Sequence, residues 1–213
     1  MKNMVMTGMA ALCLVLGIMA AMGGTWLIPD EDKQKEMETY GVDYRVSLTS
    51  SVTESDMTVD PAITSEAECE VAAKGMEEQF GAEAECDGTV MTMTMVFSDV
   101  CDKTEDEDAC DMASAGMVGT IGMWAGVLCA LLVALTLILP MAGVDAMDAM
   151  PDMGKMITSW GAGALMLVGI LGWWMMLPEG GEMTMGMSSM MAIAAALLGL
   201  AAAAMDQFMD ADE

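Results

Sequence analysis

The chain contains no histidine, and this one absence removes the Ser-His-Asp and Cys-His catalytic arrangements, His-ligated haem and the mixed Cys/His zinc sites. Basic residues are scarce, 7 Lys and Arg against 33 Asp and Glu, so the net charge is −26. Such a surface repels nucleic acid and anionic lipid headgroups. Charge is missing altogether from four stretches, residues 3–29, 112–144, 156–178 and 183–205. Each is long enough for an α-helix, rising about 1.5 Å per residue, to cross a hydrocarbon core that takes roughly 20 apolar residues. The sequence therefore predicts a four-helix transmembrane bundle in which the lipid bilayer is the first partner. With no Asp, Glu, Lys or Arg in those helices, a proton relay or charge-gated transport path is disfavoured, because intramembrane ionisable groups usually carry such functions.

What charge there is collects between the first and second helices. Residues 30–111 hold 24 Asp and Glu against Lys33, Lys35, Arg45, Lys74 and Lys103, a net −19. The expected organisation is a transmembrane helix over 1–29 serving as an uncleaved anchor, an acidic α+β extracellular domain over 30–113, transmembrane helices two to four within 114–206, and an acidic cytoplasmic tail over 207–213. Orientation follows basic residues near the membrane ends. Lys2 and Lys155 place both termini and the 140–155 loop in the cytoplasm of a multi-pass cell-membrane protein, with 30–113 outside. A cleaved secretory signal is the competing reading of the N-terminus, with small residues at Ala20, Ala21, Gly23 and Gly24. The 27-residue uncharged run exceeds a signal core and ends near Trp26, an interfacial anchor, so the uncleaved helix fits better.

The cysteines agree with that topology. Cys69, Cys86, Cys101 and Cys110 form an even set inside the segment assigned outside, where disulfides persist, and pairing of sequence neighbours is the preferred one of three connectivities. Closing the Cys69 to Cys86 loop adds on the order of 3 kcal/mol in the chain-entropy model, useful in a domain of modest apolar supply. Cys13 and Cys129 fall within helices one and two and read as small buried hydrophobes.

Local patterns give the elements of this domain. Val42, Tyr44, Val46 and Leu48 alternate with polar residues, predicting a strand over 42–50, and the segment through Met57 and Val59 is its weaker hairpin partner. Ser65 and Glu68 match a capping box ahead of a helix over 66–80. A second strand runs from Thr89 to Phe97. Helix one is expected over 4–28, helix two over 115–139 with stop at Pro140, helix three over 157–177 with Trp173 and Trp174 as interfacial anchors, and helix four over 184–205. Gly122 and Gly126 form a small-xxx-small pair, for which packing within one chain outweighs homodimerisation.

Three patterns touch on chemistry. Met91, Met93 and Met95, and again Met183, Met185 and Met187, are Met-x-Met-x-Met runs; clustered thioethers are soft Cu(I) ligands, yet they equally make an adaptable apolar surface, and the latter reading is preferred. The acidic run Asp99–Asp111, closed by Cys101 and Cys110, would attract divalent cations weakly, but it lacks the ligand spacing of an EF-hand and reads as a solvated loop. Thr120, Thr136, Ser188 and Ser189 could line a pore only in an oligomer. Catalysis would rest on carboxylates, Tyr40, Tyr44 or a lysine, and no set of these meets the geometric roles of an active site.

The layout, with a large disulfide-bearing, strand-rich first loop, a short second loop and both termini inside, resembles that of the claudin-like tetraspan proteins. Their Trp…Gly-Leu-Trp-Cys-Cys signature is absent here, where the nearby tryptophan is Trp26 and the cysteines are spaced differently. The expectation is a non-enzymatic membrane protein without cofactor, whose acidic domain engages a membrane or envelope protein. An outer-face copper receptor and a channel or transporter accessory subunit are the alternatives.

Overall fold

The computed structural model describes residues 2–59, 63–139, 151–178 and 183–209. Among these the chain forms α1 (Lys2–Ala21), β1 (Leu27–Pro29), α2 (Glu31–Thr39), β2 (Val42–Val46), β3 (Ser50–Asp56), a short 3-10 turn (Met57–Val59), α3 (Glu66–Phe80), β4 (Glu83–Asp87), β5 (Val90–Val96), α4 (Phe97–Thr104), α5 (Glu107–Ile138), α6 (Asp152–Met175), β6 (Met183–Met185) and α7 (Met187–Met209). They fall into two compact units, one of Met1–Gly23, Val118–Trp174 and Ser188–Glu213, the other of Gly24–Met117 and Met175–Met187.

The first unit is all helix. Within α1, α5, α6 and α7 lie apolar segments Met4–Ala21, Glu107–Ile138, Met153–Met175 and Met187–Phe208, four among the described residues that are long and apolar enough to cross a membrane. This is the build of a multi-pass membrane protein. Lipid tails are as apolar as leucine, so helices in a membrane associate by close packing, and glycine provides it. A β-carbon on Gly122 would collide with the Gly169 backbone, and one on Gly126 with Met166, which fixes the α5–α6 crossing. Gly163 meets the Ala196 carbonyl and Leu200 of α7, Gly199 returns the contact to Gly163, and Gly17 of α1 lies against Met166 and Val127. The Gly122/Gly126 pair is thus used inside the chain. A void of about 10 Å³ remains among Ala10, Cys13, Ala130, Ala162 and Gly199, room for one water at most.

The second unit is a six-stranded antiparallel sheet in the order β4-β5-β3-β2-β1-β6, with short helices. Side chains directly opposite one another share a face, so the register defines the two surfaces. Met95, Ser51, Val46, Leu27 and Met185 form one continuous row across five strands. Val46, Ser51 and Leu27 in it are buried. The opposite face carries Asp43, Glu54, Thr92 and Glu85 in one row and Arg45, Val52, Thr94 and Glu83 in the next. Helix α3 packs on β4 and β5 through Cys69 and Ala73, which join Met91 in a small core with Met57, Ile63, Ala84 and Cys86 around it. Disulfides link Cys69 to Cys86, fastening α3 to β4, and Cys101 to Cys110, fastening α4 to α5. Lys103 Nζ donates to the Glu77 and Glu78 carbonyls, closing the end of α3, where Gly81 takes up a positive φ of 70°.

Several sequence expectations need correction. The first helix ends at Ala21 rather than near Ile28, and the uncharged residues beyond it contribute β1; Trp26 is fully buried instead of marking a membrane interface. Burial inside a sheet and burial in lipid leave the same uncharged trace. Helix four begins at Met187, because Met183–Met185 is a strand paired to β1. The acidic run after Asp99 is not a loop: it is split between α4 and the first turns of α5, which starts at Glu107. Acidic side chains on a solvated helix read from sequence as a solvated loop does. The capping box is displaced, since Ser65 makes no side-chain cap bond and Glu68 instead accepts from the Thr64 N–H at 2.8 Å and its hydroxyl at 3.1 Å. Trp173 is buried and only Trp174 is exposed. The expected stop at Pro140, most of the 140–155 loop, residues 179–182 and the end of the tail lie outside the described residues.

Candidate functional site

The methionine runs fall into one unit but not into one place. Met91, Met93 and Met95 lie along one face of β5; Met91 is core, and its two neighbours are half-buried. Met183 and Met185 lie on β6 at the far edge of the sheet, and Met187, well exposed, opens α7. Four strand spacings separate β5 from β6, about 19 Å at 4.7–4.9 Å each, so the two sets of sulfurs cannot share an ion. The sequence-predicted cysteines are joined in the two disulfides. Among the described residues no group of three or more His, Cys, Asp or Glu side chains gathers in a manner suited to a metal ion.

The hydroxyls singled out for a pore lie on α5 and α7. Thr136 donates to the Val133 carbonyl of its own helix at 2.7 Å, and Ser188 and Ser189 are buried. Thr120 Oγ1 is buried without a hydrogen-bond partner, an isolated group on α5. Tyr40 is exposed, whereas Tyr44 is largely enclosed. Burial pushes the Tyr44 phenol above its ordinary value, and a hydrogen bond with Ser51 opposes the shift.

A concave feature of the sheet unit, among the described residues, is a wedge between β1, β2 and α2. Its origin is local. Strands β1 and β2 pair at a single position, Leu27 with Val46, anchored by a Trp26 N–H to Val46 carbonyl bond of 2.6 Å, and then diverge. Pro29 has no N–H to offer and ends the strand. Asp30 then caps α2, its carboxylate accepting from the Lys33 N–H at 2.9 Å with Glu31 and Asp32 in the first turn, and Gly41 leaves the helix at a positive φ of 67° to start β2. The split strands and the bridging helix enclose about 350 Å³, lined by Ile28, Pro29, Met37, Glu38, Val42 and Asp43 together with Thr25, Gln34, Tyr44 and Arg45. That volume is at the lower end of ligand pockets.

Electrostatically the wedge is acidic. Arg45 is drawn across the strand pair to Glu54, which relieves the repulsion of Asp43 directly opposite Glu54. Among the described residues the carboxylates of Glu38 and Asp43 have no hydrogen-bond or ion-pair partner. Of these residues, Val42–Arg45 lie in the strand expected over 42–50, whereas Thr25 and Ile28 fall in the stretch expected as the end of the first helix and α2 has no counterpart in the sequence expectations. The signal was present: Pro29, Asp30 and two acids form a helix start, and Gly41 is a helix stop. The chain matches no protein-family model and no curated protein sequence.

Proposed function

We propose that this protein is a non-enzymatic four-pass membrane protein whose acidic sheet domain faces outward and binds a membrane or envelope protein. One observation carries the reading: the sheet is built from both the segment after α1 and the segment before α7, through the β1–β6 pairing of Leu27 with Met185, Ile28 with Thr184 and Pro29 with Met183. Four crossings put those two segments on the same side of a bilayer, so the sheet is compatible with the topology inferred from Lys2 and Lys155. Two disulfides in that unit favour an oxidising compartment. Its stapled, strongly charged surface suits recognition of a basic partner, since complementary charge steers encounter and suppresses wrong pairings.

The copper reading gains nothing from the sheet, where Met91 is committed to the core and the two methionine runs are four strands apart. The channel reading gains nothing from a bundle interior closed by glycine contacts. The full chain purified in mild detergent tests the proposal. A stoichiometric protein partner released by salt in the range where exposed charges are screened is expected. A lone chain carrying stoichiometric copper would overturn it.

A further inference from the structure

We propose that the wedge between α2 and the diverging strands β1 and β2 receives a single lysine or arginine side chain of a basic partner protein. The inference rests on the reading of the sheet domain as a partner-binding module and names the chemistry of its contact. Three features of the wedge match a long cationic side chain. Its walls are apolar at Ile28, Pro29, Met37 and Val42, which suits an aliphatic stem. Its carboxylates, Glu38 and Asp43, come from separate elements and have no partner among the described residues, so a cationic head would meet charge that the protein itself does not neutralise. The one cation in the lining, Arg45, is held by Glu54.

The geometry is also durable. The opening cannot zip shut, because Pro29 lacks the N–H a longer β1–β2 ladder would need, and α2 is fixed by its Asp30 cap at one end and Gly41 at the other. A divalent cation held by these two carboxylates would fill the rest of its shell with water and would have no use for the apolar wall. A second copy of this chain is disfavoured by charge, since each brings a net −26.

The test uses the full chain in detergent micelles and two labelled decapeptides that are identical except for a central lysine or norleucine among neutral residues. Three proteins are titrated: the unsubstituted chain, Glu38→Gln/Asp43→Asn, and Glu83→Gln/Glu85→Gln, which makes the same charge change on β4 at the other end of the sheet. The expected result is at least tenfold tighter binding of the lysine peptide by the unsubstituted chain, loss of that preference in Glu38→Gln/Asp43→Asn, and its retention in Glu83→Gln/Glu85→Gln. Equal binding of the two peptides, or equal losses in the two variants, would overturn the proposal. So would a dimer of the unsubstituted chain that Glu38→Gln/Asp43→Asn dissolves, which would assign the wedge to a second copy. If a co-purifying partner stays bound to Glu38→Gln/Asp43→Asn, the wedge is not its contact while the partner-binding function stands; if the unsubstituted chain has no partner at all, that function falls.

Discussion

Single residues in the sheet unit show how neighbours set behaviour. Glu68 is held below the usual carboxylate range by the Thr64 N–H and then the Thr64 hydroxyl, and Asp56 likewise by the Thr58 hydroxyl and N–H. A carboxyl whose folded pKa is depressed contributes stability above its unfolded pKa and loses it as pH falls through the folded value. Fraying at the start of α3 should therefore appear on acidification below the ordinary glutamate range. Carbon-detected NMR titration of Glu68 should place its midpoint below that of exposed glutamates, and Thr64→Pro should raise it; an unchanged midpoint would remove this contact from the account. Methionine gives a second residue-scale test. Replacing Met91, Met93 and Met95 by leucine conserves volume and should cost under about 1.5 kcal/mol per site, whereas Met91→Ala in the core should cost about 2–5 kcal/mol and Met93→Ala less. Thermal melts decide the stabilities. Cu(I) titration against a chelator should find no tight site in either the unsubstituted chain or the triple-leucine variant, and a tight site lost on substitution would revive the copper reading.

At the scale of elements, the close contacts of glycine are the most exacting demands on sequence. Gly169→Val would drive a side chain into Gly122 at the α5–α6 crossing and should destabilise the bundle by about 1–3 kcal/mol or more, while Gly8→Val, with open space around it, should be near neutral. Unfolding in mixed micelles measures both. The β1–β6 pairing has its own test: cysteines at Ile28 and Thr184, directly opposite across the pair, should oxidise to a disulfide in the folded chain, and failure to cross-link would argue that the second segment does not join the sheet. Elements also show what sequence could and could not convey. The helix over 66–80 was legible because its apolar spacing and Gly81 stop agree, even though the capping box that marks its start is displaced, and the alternation of Met91, Met93 and Met95 with threonine marked β5. The end of α1 was not, because an uncharged run does not distinguish lipid from a buried strand, although Gly23 and Gly24 sit at the break. The three-residue β6 carries too little pattern to be separated from the helix that follows it. The wedge depended on the first of those boundaries, the end of α1, and on α2, and so was invisible as a site.

For the whole molecule, charge segregation is the organising fact. Uncharged runs become the four long apolar helices, and the acid-rich segment between the first two becomes most of a disulfide-stapled sheet. The proposal that this sheet faces outward is the claim on which partner binding, the oxidised cysteines and the use of the wedge all depend. Cysteine-accessibility labelling of intact cells tests it most directly, with single new thiols at Asp56 on β3, at Thr184 on β6 and at Asp206 near the end of α7, read with a membrane-impermeant maleimide. Labelling at Asp56 and Thr184 from outside, and at Asp206 only after permeabilisation, is the expected result. Labelling at Asp206 in intact cells, with Asp56 and Thr184 protected, would contradict it.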